Sequence, residues 1–150
     1  MSEKTKPLVI LMADDDADDR LLAQDALTEC SLANDLHCVE NGEELLDFLH
    51  HRGKFNAPVK FPRPGIILLD LNMPRKDGRE ALREIKSDPL LRQIPVVVLT
   101  TSKADTDIGR IYELGANSFI SKPVTFDALV NVMRMLVKYW FEIVQLPSKN

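Results

Sequence analysis

The sequence contains little of what marks several common classes of protein. Its two cysteines, Cys30 and Cys38, are too few for a disulfide framework and lack the spacing of a zinc site. No segment offers the roughly 18 apolar residues that a membrane span needs, and the polar start MSEKTKP has no signal-peptide character. We therefore expect a cytoplasmic protein that has reduced cysteines and does not bind membranes.

The sequence also has no excess of basic residues and no nucleotide-binding loop. The chain carries 19 Lys and Arg against 23 Asp and Glu, so its net charge is -4 and nonspecific binding to nucleic acid is disfavoured. Neither GxGxxG nor GxxxxGK[ST] occurs, which argues against the folds that use these loops. What remains is an acidic chain of 150 residues, 45% of them hydrophobic, which suits one domain with a buried core.

Short apolar runs alternate with amphipathic stretches along this chain. The strand candidates are LVILMA (8–13), LHCVE (36–40), GIILLD (65–70), PVVVLT (95–100) and SFISK (118–122). Apolar residues recur three and four apart between them, and a last helix should begin at the N-cap Thr125 and end near Val144. Five βα units predict a doubly wound α/β fold with a five-stranded parallel sheet. We treat residues 1–150 as one domain with a core over about 8–138.

One stretch, residues 50–65, departs from this alternation. Three prolines (Pro58, Pro62 and Pro64) exclude a continuous helix or a central strand there. The stretch also carries four basic residues. It is either a solvated connector or a docking surface for an acidic partner.

Polar residues stand at the ends of four predicted strands: Asp14 and Asp15, Asp70, Thr100, and Lys122. The carboxyl ends of parallel strands share one edge, which is where such sheets bind ligands. Three uncompensated carboxylates would repel one another, and a hard cation would relieve this repulsion. Oxygen ligands favour Mg²⁺ over zinc, and Mg²⁺ takes only one or two carboxylates. The third carboxylate could then attack a phosphoryl group, with the ammonium and the hydroxyl stabilising its oxygens.

The first of these strand ends lies in an unusually acidic run, ADDDADDR (13–20). Asp14 and Asp15 belong to the strand end. Asp16 is expected to cap the following helix or to be solvated. Asp18 and Asp19 fall in the first helical turn, where negative charge complements the helix dipole.

The motifs ILMADD, LLDLNMPRKDG, VVVLTTS and GANSFISKP, in this order, resemble those of response-regulator receiver domains, which have a CheY-like, flavodoxin-like fold. The resemblance covers residues 8 to about 138. It implies that Asp70 accepts a phosphoryl group from a histidine kinase. It also implies that Asp14, Asp15, Asp70 and the backbone carbonyl of Asn72 form a site for Mg²⁺, in which Mn²⁺ could substitute.

The same resemblance assigns the residues that respond to phosphorylation. Thr100 is the switch hydroxyl, Phe119 the switch aromatic, and Lys122 the phosphoryl contact. The Lys122–Pro123 bond is expected to be cis, and Gly78 to occupy a tight turn. The sequence departs from the family at two positions. Thr101 replaces the small residue that often follows the switch hydroxyl and could narrow the phosphoryl pocket, and Phe119 lacks the hydroxyl of a tyrosine.

The Pro-rich stretch, SDPLLRQIPVVVLTTS and the aromatic tail are similar to single-domain regulators that partner phytochrome-type sensor histidine kinases. Only 28 residues follow Lys122, too few for a DNA-binding output domain, so we expect output through protein contacts. The last helix is apolar around most of its circumference, which predicts a homodimer interface. That interface would use Leu136, Tyr139, Trp140, Phe141 and Ile143. The resemblance also implies that the kinase docks on the first helix. Arg20, Leu21 and Gln24 are therefore candidate specificity positions.

Two other functions stay open. Asp14-Asp15-Asp16 contains the DxD of haloacid-dehalogenase-type phosphatases, with Asp14 as nucleophile, although the further acid pair of those enzymes is missing after Lys122. The chain could also be a dimeric adaptor that docks regardless of phosphorylation. We favour the receiver, which is no enzyme beyond its own phosphoryl transfer and autodephosphorylation.

Overall fold

The computed structural model describes residues 8–29, 34–101 and 105–143, in which strands and α-helices alternate. The elements are β1 Leu8–Ala13, α1 Ala17–Thr28, β2 Asn34–Val39, α2 Gly42–His50, β3 Ile66–Leu69, α3 Gly78–Ser87, β4 Val96–Thr100, α4 Asp105–Glu113, β5 Ser118–Ser121 and α5 Phe126–Val137. A 3₁₀ turn at Gly53–Phe55 follows α2, and a π-helical segment at Lys138–Ile143 follows α5. Cys30 lies outside the described residues, and Cys38 is exposed.

All strand pairs are parallel, and the sheet order is β2-β1-β3-β4-β5. The order reverses between β1 and β3, as in a doubly wound sheet, and the predicted fold class is confirmed. β1 and β3 end level with each other, since Ala13 lies opposite Leu69. Within the described ranges, no helix is both long enough and apolar enough to cross a bilayer.

Alternate residues of the strands build a core on each face of the sheet, as the twofold period of a strand requires. On one face, Ile10, Met12 and Leu68 pack beneath α1 and α5. On the other face, Leu11, Ile67 and Leu69 pack beneath α2 and α3, with Ile111 of α4 in the same cluster. Both faces of the central strands are therefore covered, which explains their nearly continuous apolar sequences.

The predicted strands begin and end within two residues of the observed ones, and β2 differs most. β2 begins at Asn34 rather than at Leu36 because the pairing with β1 starts at Leu8 opposite Asn34. It ends before Glu40, whose N–H donates to the carboxylate of Glu44 at 2.9 Å. The last helix begins after the N-cap Thr125, as predicted; its α-helical part ends at Val137, and the helix continues as the π-helical segment to Ile143, next to the predicted end near Val144. Val144 lies outside the described residues.

The irregular stretch 50–65 is anchored by aromatic packing. Phe55 is buried, and Phe61 packs edge-to-face against Phe48 and Phe55, with ring centroids 5.6 and 5.2 Å apart. The guanidinium of Arg63 donates to the carbonyl of Leu90 at 2.7 Å. The stretch is thus a packed connector rather than a fully solvated one. Its use as a docking surface stays a prediction.

The N-terminus of α2 and the loop between β3 and α3 are held together by one backbone contact. The N–H of Gly42 donates to the carbonyl of Lys76 at 2.9 Å. A Cβ at Gly42 would collide with that carbonyl and lie 2.8 Å from the Lys76 Cβ. Next to it, Arg75 has a φ of 67° and donates to the Glu43 carboxylate at 2.8 Å. Only glycine permits this approach. We call this backbone contact the Gly42–Lys76 clamp.

Candidate functional site

The carboxyl edge of the sheet begins with Asp14, which directly follows β1. This side chain is fully buried, and its Oδ1 accepts the N–H of Asp16 at 3.0 Å. The guanidinium of Arg20 donates to the Asp14 carbonyl at 2.8 Å, which fixes the loop from the side of α1. Asp16 accepts the N–H groups of Asp18 and Asp19 at 2.9 and 3.3 Å. Its predicted role as a helix cap is confirmed by these contacts.

Asp70 follows β3 and lies beside Asp14 because its N–H donates to the carbonyl of Ala13 at 3.0 Å. The residue is buried, at 6% exposure. Its Oδ1 accepts the hydroxyl of Thr100 at 2.8 Å and the N–H of Asn72 at 3.3 Å. Thr100 is itself completely buried at the end of β4. The predicted acceptor and the predicted switch hydroxyl are therefore in direct contact.

Lys122, directly after β5, supplies the positive charge of the site. Its Nζ lies 2.7 Å from Asp14 Oδ2, 2.7 Å from Asp19 Oδ2 and 3.4 Å from Asp70 Oδ2. The Lys122 side chain is 13% exposed, so water screens these contacts little. The structure brings together four of the residues that the strand ends predicted: Asp14, Asp70, Thr100 and Lys122.

Asp19 was missed as a site residue by the sequence analysis, which placed it in the first helical turn only for its effect on the helix dipole. It is in that turn, but it also contacts Lys122. The signal was the short loop between β1 and α1, which keeps the first turn of α1 beside the sheet edge. A first-turn side chain can therefore reach across to the end of β5.

The expected cis peptide at Lys122–Pro123 was wrong, since no cis bond occurs among the described residues. The trans form is the commoner one for X–Pro bonds. The Lys122 ammonium reaches Asp14 and Asp70 with this bond in the trans form.

Burial and pairing act in opposite directions on the charged groups of the site. Burial raises the pKa of Asp14, although hydrogen bonds from Lys122 and from the Asp16 N–H act to lower it. Burial alone would lower the pKa of Lys122, but its hydrogen bonds to Asp14 and Asp19 outweigh burial and raise that pKa. The ammonium is therefore charged at neutral pH. At Asp14, by contrast, the hydrogen bonds do not fully offset the effect of burial on the carboxylate.

The donor set at this edge fits a hard divalent cation. One carboxylate oxygen each of Asp14, Asp15 and Asp70 lies within 4.8 Å of the others. Asp15 is exposed whereas Asp14 and Asp70 are buried, so the cluster is open to water on one side. Oxygen ligands of this kind, with room for water, suit Mg²⁺ or Mn²⁺.

Gly78 was predicted to occupy a tight turn, and that prediction was wrong. Its φ is not positive, and the residue of this loop with a positive φ is Arg75. Gly78 is instead the first residue of α3, and a Cβ there would collide with the Asp70 carbonyl and lie 2.7 Å from the Leu71 Cα. Glycine is required because the helix start packs directly on the backbone that carries Asp70.

Replacing Gly78 with Ala is expected to lower the free energy of unfolding by about 1–3 kcal/mol, because an added Cβ overpacks this contact. Gly109→Ala is the matched control, since Gly109 lies within α4 and nothing lies within 4 Å of its Cβ position. That change should be neutral or slightly stabilising. Urea unfolding of both variants tests this, and equal stability of the two would contradict the packing argument.

The two residues at which the sequence departs from the family lie in different surroundings. Phe119 is partly buried and packs against the core on the α2–α3 face, and its N–H donates to the Tyr112 hydroxyl at 3.1 Å. Thr101 is exposed, directly after the buried Thr100. The effect of Thr101 on the phosphoryl pocket stays a prediction.

The outer face of α5 and the π-helical segment forms an apolar groove beside β5. Its lining includes Ile120, Val132, Met135, Leu136, Tyr139 and Trp140. Met135 is 69% and Tyr139 51% exposed, and the Tyr139 ring lies edge-on to Trp140 at 5.3 Å. Leu136 and Trp140 are partly buried against the core. The side chains of Phe141 and Ile143 lie outside the described part of the structure.

Comparison with known proteins adds a family and several relatives. The family model for the response regulator receiver domain matches residues 10–134. Response regulator Rcp1 of Synechocystis sp. is 39% identical over 146 residues, which is 97% of this chain and 97% of Rcp1. The structure of the phosphorylated cyanobacterial phytochrome response regulator RcpA superposes with a TM-score of 0.88 at 38% identity, covering 95% of this chain and 100% of RcpA. The Mn²⁺-bound form of Rcp1 superposes with a TM-score of 0.85 at 39% identity, over 95% of this chain and 100% of the other.

Proposed function

The chain belongs to the response regulator receiver domain family, and from this membership we propose that Asp70 accepts a phosphoryl group from the phosphohistidine of a sensor kinase. The observation that carries the proposal is the surroundings of Asp70. A buried carboxylate contacts both a buried hydroxyl, Thr100, and the partly buried ammonium of Lys122, beside two further acids that fit a divalent cation.

In the proposed reaction, an oxygen of the Asp70 carboxylate attacks the phosphorus atom. A P–O bond forms while the P–N bond to the kinase imidazole breaks, and the imidazole nitrogen keeps the electron pair and takes up a proton. Lys122 neutralises charge on the transferred oxygens. Hydrolysis of the acyl phosphate by water later restores Asp70, which is the only reaction that we assign to the chain besides its own phosphorylation.

We assign the metal site to Asp14, Asp15 and Asp70 with the backbone carbonyl of Asn72. Mg²⁺ or Mn²⁺ bound there would neutralise negative charge on the phosphoryl group. Asp15, which is exposed, offers a direct ligand, and Asp14 would bind through water because its Oδ2 contacts Lys122. Asp14 and Asp15 would thus prepare the edge on which Asp70 reacts.

We propose that Thr100 reports the phosphoryl group. Its hydroxyl now donates to Asp70 Oδ1, the oxygen nearest to it, and a phosphoryl oxygen would offer a stronger acceptor. Movement of Thr100 would free space beneath Phe119, which belongs to the neighbouring strand β5. Because Phe119 has no hydroxyl, its two positions would differ in packing alone.

The donor of the phosphoryl group is proposed to be a phytochrome-type sensor histidine kinase in the cytoplasm. RcpA is a phytochrome response regulator, and this chain resembles it over 95% of its length. On α1, the exposed residue Leu22 lines a pocket together with Val124, in the loop before α5, and Phe126, the first residue of α5. Leu21, its neighbour in sequence, is 58% exposed. This mixed surface beside the site suits a docking helix of the kinase, with Arg20, Leu21 and Gln24 as candidate specificity positions.

The phosphatase alternative is weakened by the position of Asp14. This carboxylate is fully buried, and its oxygens already contact Lys122 and the Asp16 N–H. Incubation with Mg²⁺ and acetyl phosphate, followed by mass mapping of the labelled aspartate, tests the proposed function directly. Label on Asp70 supports the receiver, whereas label on Asp14 supports the phosphatase.

We also propose a homodimer through the groove on α5 and the π-helical segment. Exposed apolar and aromatic side chains line it, and such side chains are enriched at the cores of interfaces. A dimer that forms equally with and without beryllofluoride, a phosphoryl mimic, would support the remaining alternative of a phosphorylation-independent adaptor.

The Tyr139→Ala variant is expected to weaken this dimer by at least about fivefold, since an aromatic side chain at an interface core often contributes more than 1 kcal/mol. Sedimentation equilibrium gives the dissociation constant. Leu90→Ala is the matched control, because Leu90 is an exposed apolar residue on a different surface. A strictly monomeric parent at high micromolar concentration would contradict the proposal.

A further inference from the structure

Asp19 is a site residue that neither the metal cluster nor the phosphoryl acceptor explains. Its side chain projects from the first turn of α1, and its Oδ2 lies 2.7 Å from the Lys122 Nζ. It is the most exposed of the three carboxylates that Lys122 contacts, at 33% against 7% for Asp70 and none for Asp14. Asp19 is therefore free to change its own contacts without opening the core.

The three contacts of Lys122 are unequal. The ammonium lies 2.7 Å from both Asp14 and Asp19, but 3.4 Å from Asp70. Two of its three N–H donors are thus engaged by the carboxylates of Asp14 and Asp19, while the contact to Asp70 is long for a charged hydrogen bond. The Lys122 ammonium, which would contact a phosphoryl group at Asp70, therefore lies closer to Asp14 and Asp19 than to Asp70.

We propose that Asp19 is a positioning residue for Lys122, which rests on the proposed function of Asp70. It holds the ammonium toward α1 and so weakens the hold of Lys122 on a phosphoryl group at Asp70. Asp19 touches neither the reacting carboxylate nor the metal cluster, and it acts only through Lys122.

Charge is the physical basis of this role. Phosphorylation of Asp70 adds negative charge and three acceptor oxygens next to Lys122. The ammonium then has to divide its donors between these oxygens and Asp19, and the Asp19 carboxylate also repels the phosphoryl group. Both effects disfavour the phosphorylated state and should shorten its lifetime. Removal of the Asp19 charge should reverse both.

A simpler role for Asp19 is to stabilise the start of α1 through the helix dipole. Asp18 would serve that role equally, since it lies in the same first turn. The Asp18 side chain is exposed, and its N–H donates to the same Asp16 cap. The Asp18→Asn variant therefore removes the same charge from the same turn without touching the Lys122 ion pair, and it is the matched control.

The experiment compares the parent with the Asp19→Asn, Asp19→Glu and Asp18→Asn variants at saturating Mg²⁺. Calorimetric titration with beryllofluoride measures the affinity for a phosphoryl mimic. Decay of the label introduced by acetyl phosphate measures the lifetime of the phosphoryl group on Asp70. We expect Asp19→Asn to bind beryllofluoride about threefold to fivefold more tightly than the parent, and to lose label correspondingly more slowly. Asp19→Glu should return toward the parent, and Asp18→Asn should match it.

Several outcomes would overturn the inference. One is unchanged or weaker beryllofluoride binding by Asp19→Asn. Another is an equal gain in beryllofluoride affinity in Asp18→Asn, which would indicate an effect of long-range charge or of the helix dipole. If Asp19→Asn does not fold, Asp19→Ser takes its place because serine also removes the charge. Tighter beryllofluoride binding than in Asp18→Asn supports the inference, and unchanged or weaker binding overturns it. A parent that binds no beryllofluoride and takes no label would instead refute the function of Asp70.

Discussion

Replacing Asp70 with Asn is expected to abolish phosphoryl capture from acetyl phosphate, with labelling reduced at least about 10³-fold, as for loss of a catalytic nucleophile. The amide lacks the charged oxygen that attacks phosphorus, yet its carbonyl oxygen can still accept the Thr100 hydroxyl. Since one of several clustered negative charges disappears, the variant should fold at least as well as the parent. Phosphate-affinity electrophoresis after incubation with Mg²⁺ measures the labelled fraction.

The Asp16→Asn variant is the control for this change. Asp16 lies two residues from Asp14, but its carboxylate faces the N–H groups of α1. Asn caps helices about as well as Asp, so the fold is preserved. Asp16→Asn should label like the parent. If Asp70→Asn labels like the parent too, the acceptor has been assigned to the wrong residue.

Replacing Lys122 with Met is expected to impair the site in two ways. Phosphoryl capture should fall because the transferred oxygens lose their cation. The free energy of unfolding in metal-free buffer should also fall by about 3 kcal/mol, because the fully buried Asp14 carboxylate loses its ionic partner. Saturating Mg²⁺ should restore more stability to this variant than to the parent, since the cation neutralises the same carboxylates.

Lys86→Met is the matched control for that comparison. Lys86 is also half-buried, but its ammonium donates to the carbonyls of Arg92 and Ile94, at 3.0 and 2.8 Å, rather than to a carboxylate cluster. Its loss should destabilise the protein by about 1–3 kcal/mol, with no added dependence on Mg²⁺. Urea unfolding with and without Mg²⁺ gives all the values. A Lys122→Met variant as stable as the parent in metal-free buffer would contradict the argument.

The sequence predicted the sheet and its carboxyl edge because these depend on patterns within single elements. Runs such as PVVVLT predict buried strands, and the residue that ends each strand follows from position alone. Hence Asp14, Asp70, Thr100 and Lys122 could be assigned to one edge before the structure was known. Asp70 and Thr100 are separated by 30 residues in sequence but share a hydrogen bond.

What the sequence could not predict depends on how separate elements approach each other. The Asp19 contact depends on how close the first turn of α1 lies to the end of β5, and the need for glycine at Gly78 depends on how closely α3 approaches the backbone at Asp70. The end of α5 depends on a change of helical winding at Lys138, for which the apolar periodicity gave no signal. Strand periodicity likewise places Phe119 on a face without fixing its side-chain rotamer.

The Gly42–Lys76 clamp has a consequence for recombination between related receivers. Because a carbonyl of the β3–α3 loop fills the space where a side chain at Gly42 would stand, α2 and that loop constrain each other's sequence. A chimera that takes α2 from a relative without glycine at this position would also need the relative's loop. Crossover points that keep both segments from one parent should therefore give folded chimeras, whereas crossovers between them should not.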